Sequence, residues 1–437
     1  NHRPLETAMT APAIVSLIVV AAIVTLSCFR DLNVGILGVA AALALGVGML
    51  HIPLKEVQAN WPVNMFMTLV GVTFMFSCAQ VNGTMEKITS HAVRLARGNT
   101  ALIPIIIYFL IAAITTAGPG NIPTVVLMAP VCMALADRIG LNAFAMTLLV
   151  VGAADGAAFS PIAPTGIITN NLVEKMSGQL GITMTTTFAW TIYAWSFIAQ
   201  TLINFGGFFI FGGAKWMRAQ KSGKVSIDNL APKPAPMNLK QWVTVAAIVV
   251  LIVMVLFFGW DVGMTAFFLG AIFVIFTIAD DDEAVKNMPW GVIIMVGGMS
   301  MIISIMDAAG GLAIITKSIG TISTPITANG FLALFSGIIS AYSSSSGVVL
   351  PMFLPMVPGI IAKMGGGDPA SLITSICVGS HLVDTSPLSL FGALCLATAA
   401  STVDKRKLFR NLLIWGLSMS VVGGVVCLLL FGVLGLP

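Results

Sequence analysis

Charged residues are scarce in this chain. Asp, Glu, Lys and Arg make up only 9% of its 437 residues, whereas soluble domains carry about a quarter. Hydrophobic residues make up 57%, and the mean hydropathy is +1.00. Apolar runs long enough to cross a bilayer recur throughout, which excludes a soluble globular protein and predicts an all-α polytopic membrane protein. The polar opening, residues 1–8, resembles an expression scar and is left out of the prediction.

Cysteine pairs and enzyme motifs are also missing. The six cysteines all fall in apolar segments without a CxxC pair, so we predict buried free thiols (Cys28, Cys78, Cys132, Cys377, Cys395 and Cys427). The sequence has no HExxH motif, no nucleotide-binding loop and no convincing GxSxG motif with triad partners. We therefore predict no enzyme, no cofactor and no nucleic-acid partner.

The apolar segments divide into continuous and interrupted ones. Two of them, 101–136 and 329–364, are interrupted halfway, and each is predicted to be a re-entrant hairpin. The only long polar connection, 212–241, is rich in Lys and Pro and is predicted to link two halves, 9–211 and 242–437. Ten further segments are predicted to cross the membrane: 11–28, 33–50, 63–82, 142–171, 185–211, 242–259, 262–279, 291–308, 371–400 and 408–434.

Lysine and arginine are distributed unequally between the predicted loops. If the linker is cytoplasmic, sixteen of the 21 basic residues lie inside and five outside. This bias agrees with the positive-inside rule. It predicts a multi-pass protein of the inner (cytoplasmic) membrane with both termini on the periplasmic or exterior side.

The two halves resemble each other. LVGVTFMFS around Gly71 matches MVGGMSMII around Gly297, 226 positions later, and SPIAPTG matches SPLSLFG at the same spacing. PTVVLMAP matches GVVLPMFLP at a spacing of 225. Each half has five predicted crossings, so the second half is inverted in the membrane. Inverted repeats with interrupted helices are typical of secondary transporters, whose sites lie between the repeats.

Four breaks at membrane depth are the candidate site. Non-helical backbone is tolerated there only where protein or a water-filled cavity covers it. The first hairpin breaks at TAGPGNIP and the second at SSSSG; the following crossings, 142–171 and 371–400, break at SPIAPTG and DTSPLS. None of these breaks contains Lys or Arg. A bound anion would therefore be held by helix N-termini, Asn121 and hydroxyl groups, and a sodium ion could supply positive charge.

Ionisable residues inside the crossings are candidates for function. Asp155 and His381 are 226 positions apart and hence equivalent in the two halves. They could tune the site or carry a proton, or they could have a structural hydrogen-bonding role. Asp384 lies in the fourth break, among hydroxyl-bearing residues.

The paired hairpins and paired broken helices resemble the divalent anion:sodium symporter family of the ion transporter superfamily. In that family each hairpin tip carries Ser-Asn-Thr; here Asn121 and Ser345 match that motif letter for letter. The segments NVGILGVAAALALG, LVGVTFMFSCAQVNGTMEKI and FSPIAPTGIITN are similar to the malonate-carrier (MatC-type) branch. The resemblance implies scaffold and transport domains, an elevator movement, a homodimer, and sodium-coupled import of a small dicarboxylate such as malonate or succinate.

The resemblance also implies which residues form the sites. The implied substrate-binding residues are Gly120, Asn121, Ile122, Ser160, Pro161, Thr165, Ser344, Ser345, Ser346, Thr385, Ser386 and Ser389. The implied sodium ligands are Gly118, Asn121, Ser160, Ser343, Ser346, Asp384 and Thr385.

Other functions stay open at this point. A transporter of the same superfamily could couple a carboxylate to protons or act as an ion antiporter, with Asp155 and His381 as proton carriers. A membrane hydrolase could use Ser344 and His381 as nucleophile and base, but the duplicated hairpins argue against it. Saturable uptake against a gradient would exclude a channel.

Overall fold

The computed structural model describes residues 11–30, 32–93, 100–220, 236–341 and 343–437, except the side chains of 27–29, 89–93, 100 and 256. Within these ranges all regular structure is helical and no strand occurs, which confirms the predicted all-α class. The predicted scar lies outside the described residues, as do residues 221–235 of the predicted linker. The five cysteines with described side chains are free and buried.

The described part of the amino-terminal half contains eleven α-helices. They are α1 (Ala11–Arg30), α2 (Val34–Leu43), α3 (Leu54–Ala59), α4 (Val63–Val81), α5 (Thr84–Val93), α6 (Ile103–Thr116), α7 (Asn121–Ile139), α8 (Ala143–Ala157), α9 (Pro164–Leu180), α10 (Thr186–Phe208) and α11 (Ala214–Gln220). A π-helical turn, Ala44–Met49, extends α2, and another, Phe209–Gly213, joins α10 to α11.

A second set of helices follows the undescribed part of the linker. They are α12 (Leu239–Phe258), α13 (Val262–Ile275), α14 (Asp281–Lys286), α15 (Trp290–Ala308), α16 (Gly311–Ile322), α17 (Ala328–Ser340), α18 (Leu350–Phe353), α19 (Val357–Met364), α20 (Pro369–Leu382), α21 (Leu390–Thr398) and α22 (Lys405–Cys427). A π-helical turn, Ser345–Val349, and a 3₁₀ turn, Leu354–Met356, flank α18, where prolines remove backbone donors.

Six stretches of helix in the described ranges are long and apolar enough to cross a membrane. They are Val63–Val81, Asn121–Ile139, Thr186–Gln220, Trp290–Ala308, Ser345–Met364 and Lys405–Val433. Shorter apolar helices accompany them. Large apolar side chains such as Phe257 and Ile210 are 77% and 78% exposed, which a lipid environment explains. The protein is a multi-pass membrane protein.

Glycines allow close helix contacts in two pairs of helices. Helix α4 packs on α13, where a Cβ at Gly71 would clash with the Gly263 carbonyl, and α15 packs on α2, where Gly298 faces the Gly35 carbonyl in the same way. Such small residues let membrane helices approach closely. In the other packed group, α8 contacts α6, α7 and α10, while α20 contacts α17, α10 and α22.

The interrupted helices recur at a fixed spacing. Helix α6 begins 225 positions before α17, and α8 and α9 begin 226 positions before α20 and α21. The same backbone hydrogen bonds close the breaks in the segments 142–171 and 371–400. Ser160 N–H donates to the Ala157 carbonyl and Ala163 N–H to the Ser160 carbonyl, and 226 positions later Ser386 and Ser389 make the same pair of bonds.

The predicted linker is helical at both ends. Helix α11 and the first residues of α12 lie within 212–241, and Gly212 takes a left-handed φ of 101° where the chain bends. Trp216 Nε1 donates to the Ile139 carbonyl at 3.2 Å. Helix α11 is thereby attached to the base of the first hairpin.

Candidate functional site

The first hairpin turns at residues 117–120. Gly118 and Gly120 adopt φ angles of 132° and 83°, which residues with a Cβ rarely take. Helix α7 then begins at Asn121 without a side-chain N-cap hydrogen bond. Ile122 N–H is bonded to the Asn121 side chain and Pro123 has no N–H, so the first turn leaves the Asn121 N–H and the positive end of the helix dipole at the tip.

Asn121 joins this tip to the neighbouring broken helix. Its Nδ2 donates to Asp155 Oδ1 at 2.9 Å, and its Oδ1 accepts from Ile122 N–H at 3.0 Å. Asn121 is 6% exposed and Asp155 is fully buried. The second carboxylate oxygen of Asp155 has no hydrogen-bond partner, and a buried polar atom in that position requires an explanation such as a bound ion or water.

The second hairpin makes a related contact with its own broken helix. Ser345 Oγ donates to both carboxylate oxygens of Asp384, at 3.0 and 2.9 Å, and lies 2.7 Å from Ser340 Oγ. Among the described residues, no Lys or Arg pairs with Asp155 or Asp384. Two buried carboxylates thus lie behind the two tips without a basic partner.

Ser346 connects the two halves. Its Oγ lies 3.1 Å from Thr165 Oγ1 at the start of α9 and 3.3 Å from His381 Nε2. The other ring nitrogen of His381 lies 2.9 Å from Ser380 Oγ, and the ring meets Phe159 edge-on with centroids 4.6 Å apart. The equivalent positions Asp155 and His381 therefore contact different hairpins, and their partners differ.

A cavity of about 450 Å³ brings part of the predicted site together. It is lined by Asn121, Ile122, Val292, Met295, Ser340, Ala341, Ser343, Ser344, Ser345, Ser346, Asp384, Leu388, Ser389, Leu390 and Phe391. The predicted residues Gly118, Gly120, Ser160, Pro161, Thr165, Thr385 and Ser386 are absent from this lining, as are Asp155 and His381.

Several hydroxyls of the predicted site instead close the breaks. Ser160 Oγ donates to the Thr116 carbonyl at 2.8 Å, which ties the third break to the first hairpin. Thr385 Oγ1 donates to the Leu382 carbonyl at 3.4 Å, and Ser386 Oγ accepts from Leu388 N–H at 3.2 Å.

Each tip also touches a neighbouring long helix. Gly118 lies against the ring of Phe76 on α4, and Gly347 lies against the side chain of Met295 on α15. These contacts leave no room for a Cβ at either glycine. Apolar side chains thus cover both turns.

Sequence reasoning missed several residues around the site. Ser340 supports Ser345, Ser380 contacts His381, and Met295 and Phe391 supply apolar wall. Ser340 precedes a serine-rich tip by one helical turn, which is a usable signal. Met295 and Phe391 are indistinguishable from ordinary membrane-facing residues in the sequence.

Comparisons with known proteins extend these observations. Residues 9–158 match the family model described as the dicarboxylate carrier protein MatC N-terminus. That range includes the first hairpin and Asp155. No match to a curated protein sequence was found.

Two solved structures share the fold. The YdaH transporter of Alcanivorax borkumensis, described as having an unusual topology, aligns with a TM-score of 0.60 at 14% identity, covering 97% of this chain and 99% of that chain. MtrF of Neisseria gonorrhoeae, described as illuminating a class of antimetabolite efflux pumps, aligns with a TM-score of 0.54 at 12% identity, covering 99% and 97%. The carrier similarity and this fold point to a transporter and not to an enzyme.

Proposed function

We propose that this protein is a secondary active transporter that imports a small dicarboxylate, malonate- or succinate-like, together with sodium ions. The similarity of residues 9–158 to a dicarboxylate carrier supports the substrate class. The fold shared with two solved transporters supports transport as the activity.

The observation that carries sodium coupling is the pair of buried carboxylates behind the tips. Asp155 and Asp384 each accept a hydrogen bond from a hairpin tip, and neither has a basic partner among the described residues. A dianion bound in this region would lie near the carboxylates of Asp155 and Asp384 in a medium of low dielectric constant, where the repulsion between like charges is strong. Cations must therefore bind with it, and carboxylate, hydroxyl and carbonyl oxygens are the hard ligands that sodium accepts.

The dianion belongs at the first hairpin. The backbone N–H of Asn121 and the second amide hydrogen of its side chain are donors at that tip, and a helix N-terminus favours anions. The cavity of about 450 Å³ has room for a three- or four-carbon dicarboxylate with water. Asp384, Ser345 and Ser346 supply acceptors on the opposite side.

We also propose two inverted repeats, 9–211 and 242–437, that move a transport domain against a scaffold as an elevator. The recurrent helix starts and the repeated backbone bonds in the breaks support the duplication. The excess of Lys and Arg on the linker side supports a cytoplasmic linker and exterior termini in the inner membrane. The homodimer is proposed from the family resemblance alone.

Uptake of radiolabelled malonate into proteoliposomes tests the function. We expect accumulation under an inward sodium gradient, its loss when potassium replaces sodium, and competition by excess succinate. Empty liposomes control for leakage. The absence of uptake under any gradient would contradict a malonate carrier.

Proton coupling is the second candidate, because the unpartnered oxygen of fully buried Asp155 is also suited to hold a proton. A proton-coupled carboxylate transporter or an ion antiporter would then be the function. Accumulation that ignores sodium and collapses with the pH gradient would favour this candidate over sodium symport.

Asp384→Asn tests the proposed sodium ligand. We expect the sodium concentration for half-maximal uptake to rise roughly tenfold, because a neutral amide replaces a charged ligand. Asp307→Asn is the control, since that exposed carboxylate on α15 lies outside the cavity lining. An unchanged sodium dependence in the Asp384 variant would remove it from the ion site.

A further inference from the structure

The hydroxyl of Ser346 has two polar neighbours from different parts of the chain. Thr165 Oγ1 lies at 3.1 Å and His381 Nε2 at 3.3 Å. A hydroxyl has one proton to donate and two lone pairs with which to accept. The direction of these two hydrogen bonds therefore decides what Ser346 offers to a ligand in the cavity that it lines.

The hydrogen bonds around the other ring nitrogen, His381 Nδ1, decide the direction of the bonds at Ser346. Ser380 Oγ lies 3.1 Å from the Cys377 carbonyl, which can only accept, and 2.9 Å from His381 Nδ1. We infer that Ser380 gives its single proton to the carbonyl, so that toward Nδ1 it accepts. Nδ1 must then carry a hydrogen.

The ring has no second hydrogen to give. His381 is 1% exposed and has no carboxylate partner among the described residues, so an imidazolium would be an uncompensated buried charge. A neutral imidazole with its hydrogen on Nδ1 presents a bare Nε2. The edge contact with Phe159 holds the plane of the ring in this orientation.

The bare Nε2 determines how the hydroxyl protons of Ser346 and Thr165 are arranged. Ser346 donates its single proton to Nε2 and can then only accept from Thr165, which uses its own proton in that bond. Both oxygens keep only lone pairs for any further partner. Among the neighbouring tip hydroxyls, Ser343 donates to the Ile339 carbonyl and Ser345 donates to Asp384. Ser344 Oγ differs, because it accepts from Gly347 N–H at 3.0 Å and keeps its own proton.

We propose that His381 is a positioning residue that leaves the hydroxyls of Ser346 and Thr165 able only to accept from a further partner. Because His381 Nε2 accepts the hydrogen bond of Ser346, the oxygens of Ser346 and Thr165 can coordinate a cation but cannot donate to a substrate carboxylate. This inference rests on the proposed sodium symport and deepens it. It assigns Ser346 and Thr165 to the ion side of the site and leaves the carboxylate to the donors of the first hairpin.

Two substitutions separate this role from simple packing. Asparagine at 381 keeps a polar group near the Nδ1 position but does not reach the Nε2 position, whereas glutamine places an amide oxygen there. We expect His381→Asn to raise the sodium concentration for half-maximal uptake roughly tenfold or more, with a smaller effect on maximal rate. His381→Gln should restore most of the sodium affinity.

Ser375→Ala is the matched control. Ser375 is a fully buried serine on the same helix, and its hydroxyl bonds to Asn329 and the Ser371 carbonyl, remote from Ser346. We expect its sodium dependence to equal that of the wild type. Equal sodium dependence in His381→Asn and the wild type, or a His381→Gln variant as impaired as His381→Asn, would overturn the proposal.

A direct spectroscopic test does not depend on transport or on a variant with full activity. Solid-state NMR of ¹⁵N-histidine-labelled wild-type protein in lipid distinguishes protonated from bare ring nitrogens, and the His381 signals are those lost in His381→Asn. We expect a protonated Nδ1 and a bare Nε2. A protonated Nε2 would overturn the proposal. If wild-type uptake ignores sodium, the proposed function fails, and the spectrum still decides the proton arrangement at His381.

Discussion

Uptake should fall about 100-fold when Asn121 is replaced by alanine. The substitution removes the donor to Asp155 Oδ1 and the acceptor of Ile122 N–H, and it removes the remaining amide hydrogen that can reach a substrate carboxylate. Losing a hydrogen bond to a charged group costs about 1.5–3 kcal/mol, which corresponds to roughly 10- to 150-fold. Initial rates of malonate uptake in proteoliposomes measure the effect.

The protein should still fold, because the turn itself is closed by backbone bonds from Ala117 and Gly118. Asn171→Ala is the control. That amide bonds only to the Ile167 carbonyl of its own helix, so its loss should leave uptake near the wild-type rate. Near-normal uptake in Asn121→Ala, with equal amounts of folded protein, would remove the first hairpin from the substrate site.

The second large effect is expected from Gly166→Ala. A Cβ at Gly166 would overlap the Ser160 carbonyl oxygen, well inside van der Waals contact. That carbonyl cannot retreat, because it accepts from Ala163 N–H at 2.9 Å to close the break. We expect a loss of roughly 3 kcal/mol of stability together with loss of transport. Thermal unfolding of the detergent-solubilised protein and uptake measure the two effects.

Two other glycines provide a control variant and an equivalent variant for this experiment. Gly178 lies in the same helix with nothing near a prospective Cβ, so Gly178→Ala should match or slightly exceed the wild-type stability. Gly392 meets the Ser386 carbonyl as Gly166 meets that of Ser160, so Gly392→Ala should be equally harmful. A stable, active Gly166→Ala variant would mean that the break is loosely packed.

The sequence predicts the interrupted segments because their cause is local. Proline removes a backbone donor, glycine permits left-handed φ angles, and short hydroxyl side chains compete for backbone groups. These effects need no tertiary information, so residue types alone are enough to predict breaks at Gly118, Gly120 and the serine-rich tip.

Side-chain pairing is a different matter. Asn121 and Asp155 are both recognisable in the sequence, but their hydrogen bond depends on how the first hairpin packs on α8. The link from Thr165 through Ser346 to His381 joins residues 181 and 35 positions apart, which no local pattern encodes. The sequence analysis does not predict the helix at the start of the linker, because the Lys- and Pro-rich composition of the linker as a whole also suits an extended chain.

The apolar side chains that contact the two hairpin turns lie at different positions along the long helices α4 and α15. Gly118 touches position 76 of α4, whereas Gly347 touches position 295 of α15, which corresponds to position 69 of α4 at the 226-residue spacing. A seven-residue offset along a helix amounts to about 10 Å. Apolar side chains therefore face both turns, but at different positions along the two long helices.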